Sequence, residues 1–589
     1  MHGYHGVYLR YDLTRRRAER ISIPEDVLRR YLGGVGLATW ILHRECPVGV
    51  EPLAERAPLV FAFSPLVGTP LTTSAKFAVV AKSPLTGLLC DALSSSHFAI
   101  EGKQMGVDAL VFVGRASEPS VWVAGQLEAT SLWGSEPEAV EVELAARGRV
   151  ACIGKAGENQ VRYACISNGG RHAGRGGLGA VMGSKNLKAI VVRGDARTSL
   201  ADSKAVVRAS RDLSRRSFGP ATAKYRELGT AGNLLTFNRL AVLPTRNFQT
   251  SVFDEASALS AEELQPLRER ARRSCASCTI GCEHIYSFAA DREVRVEYES
   301  LFALGSLCGV GDPDQVLAAV KRCDELGLDT ISTGATIAFA MECGERGLLR
   351  GAPRFGDGAA VLELIDLIAE RSGLGAELAD GSRALARRLG GSALDFAPQV
   401  KGLELPGYEP RALQTMALGL AVGTRGADHN RSGAYEVDFS GEVDRMRGAE
   451  EHAQRAVQPE DRAALLDSLI LCKFLRGAFD DLEVEAAELL ADVTGWDVSG
   501  PELAQVAKRV VNARKAFNIR EGWSPADDTL PARFLSQPLE QGAARGASLN
   551  RAQLDGMITA YNRARGWSSE GYLSAADLDE LGLGRESRA

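Results

Sequence analysis

Three cysteines and a histidine lie close together in the segment RSCASCTIGCEH, residues 273–284. The cysteines are Cys275, Cys278 and Cys282, and His284 follows two residues later. Thiolates are soft ligands that suit iron–sulfur clusters and Zn²⁺. One tight turn supplies three such ligands, so a fourth must come from His284 or from elsewhere in the chain. The local sequence leaves three interpretations open: a cubane iron–sulfur cluster, a Cys3His zinc site, and redox-active or merely buried thiols.

A glycine-rich stretch, AGRGGLGAVMGSKNLKAI at residues 173–190, contains a literal G-x-G-x-x-G that begins at Gly174. A dinucleotide-binding turn of that type needs a long helix after the glycines, whereas only AVMGSKN precedes the next strand. The sequence therefore favours a loop whose backbone amides approach a phosphate. A purely structural turn is the alternative. Nearby cations would add positive charge to the loop: Arg175, Lys185 and Lys188.

Two hexads share the pattern D-x-x-x-L-[DC]: DELGLD at 324–329 and DSLILC at 467–472. Each ends a stretch with helical periodicity. Carboxylates and exposed backbone groups at a helix end can receive the amino and amide donors of a ligand ring. A single such aspartate is more often a surface residue of a helix. As a matched pair, the hexads predict two pseudo-equivalent halves of one ligand site.

Two further segments contain groups suited to acid–base chemistry: VEYES at 296–300 and RGADHN at 425–430. A carboxylate in apolar, aromatic surroundings has a raised pKa and can act as a base. A histidine beside Asp428 can hydrogen-bond a substrate oxygen. Taken alone, each segment is more often structural.

The elements that must position these residues change character along the chain. Short apolar, β-branched runs predict strands up to about residue 195, at 59–66, 77–82, 109–114, 120–125 and 188–194. Apolar residues spaced by three and four then predict helices over 313–327, 359–373, 461–475 and 501–518. The change from strand-like to helix-like patterns indicates a domain boundary near residue 200, and clusters of Pro and Gly indicate another near residue 400.

Composition restricts the function classes. The chain has 589 residues and a net charge of −6, which argues against a nucleic-acid-binding protein. No apolar run approaches the ~20 residues that span a bilayer, and the N-terminus lacks a signal-peptide core. Eleven cysteines are too few for a disulfide scaffold of this size. We therefore expect a cytoplasmic globular enzyme.

Taken together and in order, these segments resemble the aldehyde ferredoxin oxidoreductase family, tungsten enzymes that carry a bis-molybdopterin cofactor. The resemblance covers nearly the whole chain. Its most specific part is the glycine-rich stretch at 173–190. The other segments that carry it are KFAVVAKSPLTG, GVDALVFVG, CASCTIGC, EYE, the two hexads, RGADH, FNIREGWSPADDTLPAR and RGWSSEGYLSAADLDELGLG.

The resemblance implies an α+β fold in three parts. An N-terminal base domain of two sheets, residues 1–197, would bind pterin. Two mainly helical domains, 198–400 and 401–589, would enclose the cofactor. The fourth cluster ligand would be Cys472, so that the metal ligands of a [4Fe–4S] cluster are Cys275, Cys278, Cys282 and Cys472. His284 would then be a bystander.

The same resemblance implies a tungsten or molybdenum atom held by the sulfurs of two pterins whose phosphates are bridged by Mg²⁺. One pterin would use Asp324, Leu328 and Asp329, and the other Asp467, Leu471, Cys472 and Lys473. The phosphates would meet segments that include Lys76, Leu93, Ser95, Arg175, Gly176 and Gly177. This chain departs from the family pattern in several of these places: Lys76 for Arg, Leu93–Ser96 for Asn and glycines, Ile470 for Gly, and Lys473 for Asp.

The implied reaction interconverts aldehydes and carboxylic acids. Glu299 would be the general base, with Glu297 as the fallback, and His429 would hydrogen-bond the developing oxyanion. Electrons would leave through the cluster to ferredoxin or a small iron–sulfur subunit. A homodimer is common in the family.

Two alternatives stand beside this function. One is a tungsten-dependent reductase of aromatic acyl-CoA, of the benzoyl-CoA type. The other is a zinc-stabilised binding or scaffold protein, which would account for the segment from Cys275 to His284 and for neither the hexads nor the glycine loop.

Overall fold

The N-terminal third consists of two six-stranded sheets. The computed structural model describes residues 1–289 and 292–583. The strands of the first sheet are β1 (Val7–Asp12), β2 (Arg17–Ser22), β3 (Leu59–Ala62), β4 (Lys76–Lys82), β5 (Leu89–Ser95) and β6 (Ala109–Val113). Those of the second are β7 (Ser120–Val123), β8 (Gln126–Ala129), β9 (Arg149–Cys152), β10 (Ile166–Asn168), β11 (Arg171–Ala173) and β12 (Leu187–Val192).

The two sheets have related topologies. Their strand orders are β2-β1-β6-β3-β4-β5 and β11-β10-β9-β12-β7-β8. Each contains one parallel pair, β1 with β6 and β12 with β7, and the other neighbours are antiparallel. Strands β3, β4, β6 and β12 are buried along nearly their whole length, which explains their continuous apolar runs. All five strands predicted from sequence are confirmed.

Short helices connect these strands and cover the sheets. They are α1 (Glu25–Tyr31), α2 (Gly34–Glu45), α3 (His97–Gln104), α4 (Pro137–Leu144), α5 (Lys155–Glu158) and α6 (Leu178–Gly183). Helix α6, which follows the glycine-rich loop, has six residues. It is too short for the helix of a dinucleotide-binding unit, as the sequence predicted.

The middle of the chain is mainly helical, with one small sheet that carries the cysteine turn. That sheet is β13 (Glu269–Arg273), β14 (Glu283–Phe288) and β15 (Arg292–Val296). The helices are α7 (Ser203–Ser217), α8 (Ala223–Leu228), α9 (Leu234–Arg239), α10 (Ala261–Arg268), α11 (Tyr298–Leu304), α12 (Pro313–Leu326), α13 (Thr330–Glu345), α14 (Gly358–Glu370), α15 (Gly373–Leu378), α16 (Ser382–Leu389) and α17 (Ala393–Phe396).

The C-terminal part begins with the two-stranded β16 (Gln399–Val400) and β17 (Leu403–Glu404) and is otherwise helical. Its helices are α18 (Gln414–Val422), α19 (His429–Ser432), α20 (Tyr435–Asp438), α21 (Glu450–Arg455), α22 (Val457–Leu469), α23 (Leu482–Thr494), α24 (Gly500–Arg520), α25 (Ala532–Ser536), α26 (Arg551–Arg565) and α27 (Ala575–Leu581).

One predicted helix ends earlier than its periodicity indicated. The sequence predicted a helix over 461–475, but α22 ends at Leu469 because Ile470 has a left-handed backbone with φ 64°. Residues Lys473–Ala478 then form a 3₁₀ helix. The apolar letters continue past the break because Ile470, Leu471 and Leu475 are all buried.

One continuous hydrophobic core extends from Tyr4 to Leu581. In this core the inner faces of the sheets pack against helices of the middle and C-terminal parts. Helix α2 lies at its centre and is buried at ten consecutive positions, 34–43. A small second cluster lies under α4 on the outer face of the second sheet. In the described part of the chain, no helix is both long enough and apolar enough to cross a membrane.

Candidate active site

The cysteine turn is fastened to the base domain by two threonines that follow β3. The Thr73 backbone N–H donates to the Ser277 carbonyl at 2.6 Å, and the Thr73 hydroxyl accepts from the Cys472 backbone N–H at 3.1 Å. The Thr72 hydroxyl lies 2.7 Å from that of Thr279. Residues 72 and 73 therefore hold the three-cysteine turn and Cys472 next to each other. Sequence reasoning missed both threonines.

The structure brings the four predicted cluster cysteines within electrostatic range of one another. The pKa of Cys278 is raised to about 11, first by burial and then by the Cys472 and Cys275 thiolates. The pKa of Cys282 is also raised, first by burial and then by Cys472, Cys275 and Cys278. Lys76 lies within electrostatic range of the same cysteines. Burial alone would lower its pKa, but Cys472, Cys275 and Asp467 outweigh burial and raise it.

His284 does not complete a ligand set with the cysteines. Its Nδ1 lies 2.6 Å from Oε1 of Glu269, and its ring packs beside Gly229. Within residues 1–289 and 292–583, no three His, Cys, Asp or Glu side chains surround a single-ion position. His284 thus has a contact with Glu269, and its role as a bystander to the cluster stays a prediction.

The first hexad forms the turn between α12 and α13. Gly327 ends α12 with φ 73°, and the Leu328 N–H returns to the Cys323 carbonyl at 2.9 Å. Asp329 then caps α13 by accepting from the Ile331 N–H. Its Oδ2 also accepts from the Ser332 hydroxyl at 2.7 Å. Asp324 lies half-buried, and burial raises its pKa to about 6.

The second hexad forms an equivalent turn after α22. Ile470 has φ 64°, and the Leu471 N–H returns to the Leu466 carbonyl at 2.9 Å. The six-to-one hydrogen bond is the same as in the first hexad and is that of a Schellman motif. Asp467 forms an ion pair with Arg431 at 3.0 Å. Lys473 donates to the Asn430 side chain at 2.8 Å, and burial lowers its pKa to about 8.

Glu299 and His429 form a pair between the two hexads. His429 Nε2 lies 3.6 Å from Glu299 Oε1, and the other carboxylate oxygen, Oε2, accepts from the Gly407 N–H at 3.0 Å. Burial raises the pKa of Glu299 to about 8. Burial also lowers the pKa of His429 to about 3, so its imidazole is neutral, and its Nδ1 is buried without a hydrogen-bond partner. The Tyr408 ring stacks on His429 at 4.9 Å between centroids.

Glu297, the fallback base, lies outside this pair. It is exposed at the start of α11, and its carboxylate is 3.9 Å from Arg295. It shares the neighbourhood of Asp324 and Cys282 rather than that of His429. The structure therefore favours Glu299 over Glu297 as a base.

A buried cluster of arginines and aspartates lies beside Glu299 and His429, and the sequence had indicated only part of it. Arg431 pairs with both Asp91 and Asp467, and Arg514 lies 3.8 Å from Asp91. Arg425 pairs with Asp428, whose pKa is held well below its usual range; burial opposes that shift, and Arg425 together with Arg431 and Arg175 outweighs it. Asp91, Arg431 and Arg514 were missed because no local pattern marks them. Asp91 lies more than 300 residues from both Arg431 and Arg514 in the chain.

The glycine-rich loop is partly packed and partly open. Gly176 and Gly177 have φ 83° and 80°, and a Cβ at either would overlap Cys90 Sγ or the Arg162 carbonyl. A Cβ at Gly174 would meet no other atom within 4 Å. The Arg175 side chain donates to the Ala427 and Glu404 carbonyls at 2.8 and 2.5 Å.

Two cations predicted to add charge to this loop point elsewhere. Lys185 donates to the Ala57 carbonyl at 2.6 Å, and Lys188 pairs with Glu158, both inside the base domain. These two lysine side chains therefore bind groups of the base domain and do not face the glycine-rich loop. Lys76 and Ser95 face each other across β4 and β5, and Leu93 pairs with Ala78 in the same register.

The residues in this region fit a large anionic cofactor and a metal cluster. Buried polar atoms without hydrogen-bond partners converge here, and they include Oδ1 of Asp91, Nε of Arg425, Nε and Nη2 of Arg514, Nδ1 of His429, Oε1 of Glu299 and Oδ2 of Asp467. Buried groups of this kind normally have partners. Four clustered thiols, among which Cys472 and Cys275 raise the pKa of Cys278 and Cys282, fit a cationic iron–sulfur core that would remove the repulsion between their thiolates.

Two models of one protein family together match most of the chain. The model of the aldehyde ferredoxin oxidoreductase N-terminal domain matches residues 8–194, and the model of domains 2 and 3 of that family matches residues 208–583. The chain belongs to the aldehyde ferredoxin oxidoreductase family, a family of oxidoreductases.

Individual relatives refine the comparison. The chain is 36% identical, over 99% of both chains, to a tungsten-containing aldehyde ferredoxin oxidoreductase of Pyrococcus furiosus. It is 28% identical, over 100% of this chain and 98% of the other, to the WOR-like subunit of an aliphatic sulfonate oxidoreductase from the same organism. The solved active-site complex of benzoyl-coenzyme A reductase with 1,5-dienoyl-CoA has a similar fold. Its TM-score is 0.83 at 24% identity, covering 99% of this chain and 97% of that one.

Proposed function

We propose that the protein is a tungsten-dependent oxidoreductase that interconverts aldehydes and carboxylic acids. Electrons would pass through a [4Fe–4S] cluster to ferredoxin or to a small iron–sulfur subunit. The observation that carries this proposal is the pair of Glu299 and His429, whose Oε1 and Nε2 atoms lie 3.6 Å apart, with Asp329 and Lys473 within electrostatic range. The identity to tungsten-containing aldehyde ferredoxin oxidoreductases, 36% over the whole chain, supports the same chemistry.

The residues that would hold the cofactors divide by location. Asp324, Leu328 and Asp329 would bind one pterin, and Asp467, Leu471, Cys472 and Lys473 the other. Phosphates and Mg²⁺ would lie near Lys76, Leu93, Ser95, Arg175, Gly176 and Gly177. Cys275, Cys278, Cys282 and Cys472 would hold the iron–sulfur cluster. When bound, the tungsten centre supplies two-electron redox chemistry at the aldehyde carbon.

Glu299 has the environment of a general base. Its pKa of about 8 is raised by burial, so the carboxyl takes up and releases a proton near neutral pH. Oε1 of Glu299 would take a proton from the water that adds to the aldehyde carbon. The Gly407 N–H fixes the other oxygen at 3.0 Å and so orients the carboxylate.

His429 has the environment of a neutral hydrogen-bond donor. Its depressed pKa rules out the imidazolium at ordinary pH. Once Oε1 of Glu299 has taken up a proton it can donate to Nε2, which leaves the single N–H of the neutral imidazole on Nδ1, where it can donate to the substrate oxygen. A neutral donor in a desolvated place stabilises developing negative charge on oxygen. Stacking on Tyr408 would fix the plane of the ring.

Elemental analysis and dye-linked assay test the proposal. Anaerobically purified protein should contain about four iron atoms and one tungsten or molybdenum atom per chain, and an aldehyde should drive reduction of benzyl viologen. Zinc without tungsten, molybdenum or iron would overturn it. A panel that includes aldehydes and benzoyl-CoA separates the proposed activity from aromatic acyl-CoA reduction. The fold likeness to benzoyl-coenzyme A reductase, at 24% identity, concerns architecture alone.

A further inference from the structure

A basic surface with exposed apolar side chains lies beside the cysteine turn. On α7, Arg208, Arg211 and Arg215 stand at positions i, i+3 and i+7, so they share one face of the helix. Phe218 continues that face at i+10, and its side chain is 62% exposed. Aromatic residues and arginines are the residue types that are enriched at protein–protein interfaces.

Strand β13 continues this surface to the cysteines. Arg272 and Arg273 are exposed on β13, and Cys275 follows two residues later. The Arg226 guanidinium lies over the Phe218 ring at 4.6 Å, and the Arg226 carbonyl accepts from Arg272 at 2.8 Å. Arg226, on α8, therefore connects the end of α7 to β13. We call this surface the arginine patch: Arg208, Arg211, Arg215, Phe218, Arg272 and Arg273.

The patch is coupled to the cysteine turn from two directions. The Ser217 hydroxyl, at the end of α7, lies 2.5 Å from the Thr279 hydroxyl inside the turn. β13 is the edge strand of its sheet, with the order β13-β14-β15, and it enters the turn directly. The turn itself is only partly covered, since Ser277 is exposed and Cys275 and Cys278 are half-buried. Any electron that leaves the four cysteines toward this side meets the patch first.

The charge of the patch differs from that of the whole chain. The protein carries a net charge of −6, so a row of arginines is a local feature. Acidic residues of the neighbouring helices α8 and α10, including Glu227, Glu262 and Glu263, are exposed beside it. On α7, Arg215 is ion-paired with Asp212 at 2.6 Å, whereas in the described part of the chain no salt bridge joins Arg208, Arg211, Arg272 or Arg273 to a carboxylate. The positive charge that is not compensated by an ion pair therefore lies on these four arginines. The field of this charge attracts an acidic partner and raises its rate of association.

We propose that the arginine patch is the docking site for an acidic iron–sulfur electron-carrier protein. This inference rests on the proposed function, because the cluster held by the four cysteines would be the group that exchanges electrons with the carrier. One electron leaves the reduced cluster and one oxidised carrier molecule is reduced at each encounter. The two electrons of an aldehyde oxidation therefore require two encounters. Leu267, 78% exposed on α10 just before β13, adds a second apolar contact at the edge of the patch.

Stopped-flow kinetics tests the docking site. The holoenzyme is reduced with dithionite, freed of excess reductant, and mixed anaerobically with an oxidised acidic bacterial ferredoxin. The expected result is that Arg272→Glu/Arg273→Glu and Arg208→Glu/Arg211→Glu each lower the second-order rate constant about 10- to 100-fold at low ionic strength. In the wild type, added salt should lower the rate toward that of the variants.

Controls separate docking from catalysis and from folding. Arg350→Glu/Arg354→Glu makes the same charge change on two exposed arginines that follow α13, away from the cysteine turn, and should leave the rate unchanged. Reduction of benzyl viologen, a small dication that needs no docking site, should be equal in all of these proteins. If one double variant loses iron, the other still tests the patch.

The outcomes distinguish the two proposals. Unchanged ferredoxin rates in iron-replete variants would overturn the docking site and leave the proposed function intact. Absence of dye-linked activity with every aldehyde in tungsten- and iron-replete wild type would overturn the proposed function. Binding of an oligonucleotide to the patch in place of the acidic protein would also overturn the docking site.

Discussion

The two hexads close their helices with the same backbone turn and yet face different surroundings. At 324–329 the left-handed position is Gly327, and the last residue, Asp329, caps the next helix and contacts Arg175 at 3.4 Å. At 467–472 the left-handed position is Ile470, and the last residue, Cys472, is held by Thr73 among the other cysteines. The first turn thus belongs to the region of Glu299, and the second to the region from which electrons would leave.

This difference shows how one local motif can serve two ends of a reaction. The Schellman turn exposes backbone groups at a helix end in both places, which suits recognition of a ligand ring by each half. What differs is the sixth residue, a carboxylate in one turn and a thiol in the other. Five predictions break or sharpen this comparison, beginning with the largest effect.

Cys472→Ser should remove most of the iron, because the fourth thiolate of the proposed cluster is lost. Cys323→Ala, in the last turn of α12 before the first hexad, is the matched control and should retain its iron, since Cys323 is fully buried away from the four cysteines. Iron per chain and the visible absorption of anaerobic protein measure the effect. Equal iron in both variants would contradict the assignment of Cys472.

Glu299→Gln should lower kcat by about 10²- to 10⁴-fold while tungsten and iron stay bound, since a general base contributes that much. Glu297→Gln, exposed two residues away, should stay within about twofold of the wild type. Steady-state assay of both proteins makes the comparison. If Glu297→Gln were inactive and Glu299→Gln active, the general base would be Glu297, which lies near Asp324 and Cys282.

The pH dependence of the activity also tests the role of Glu299. Glu299 has its pKa raised to about 8, so the base form accumulates above that pH and activity should rise as pH increases through about 8. The rising limb should disappear in Glu299→Gln. Linkage also predicts a stability effect: the folded carboxyl keeps its proton between its ordinary pKa and about 8, so this group makes the fold less stable as pH rises across that window.

Asp329→Ala should destabilise the fold by about 1–2 kcal/mol, because α13 loses its cap and the Ser332 hydroxyl loses its acceptor. Asp467→Ala should have a smaller effect, because Arg431 keeps Asp91 as a partner. Midpoints of chemical unfolding for both cofactor-free proteins compare the two hexads. A larger loss at Asp467 would show that its ion pair, rather than the cap, dominates.

Ile470→Gly should be more stable than Ile470→Ala by about 1 kcal/mol, because glycine adopts φ 64° without the steric conflict that a Cβ creates. Both variants lose the same kind of buried apolar contact, so their difference isolates the backbone. A β-branched residue in this region is unusual, and here its side chain fits against Gly34. Equal unfolding midpoints would mean that the turn relaxes when the side chain is removed.

Much of the fold was predictable from sequence, because short-range patterns determine it. The buried strands β3, β4, β6 and β12 are continuous apolar runs, and α12 and α24 have clear helical periodicity. The short spacer after Gly179 correctly excluded a dinucleotide-binding unit, since length alone decides that question. The end of α22 was misjudged because Ile470 gives no signal of a left-handed residue.

Residue types and spacing alone determined which chemistry was available: thiols for a cluster, paired hexads for a ligand with two halves, and a carboxylate with a histidine for proton transfer. Only the tertiary structure decided how these groups are used. It placed Glu299, rather than Glu297, next to His429. It directed the side chains of Lys185 and Lys188 to partners inside the base domain. It also brought Asp91, Arg431 and Arg514 together from three distant segments of the chain. Burial and orientation depend on contacts between residues far apart in the chain, so a local pattern cannot encode them.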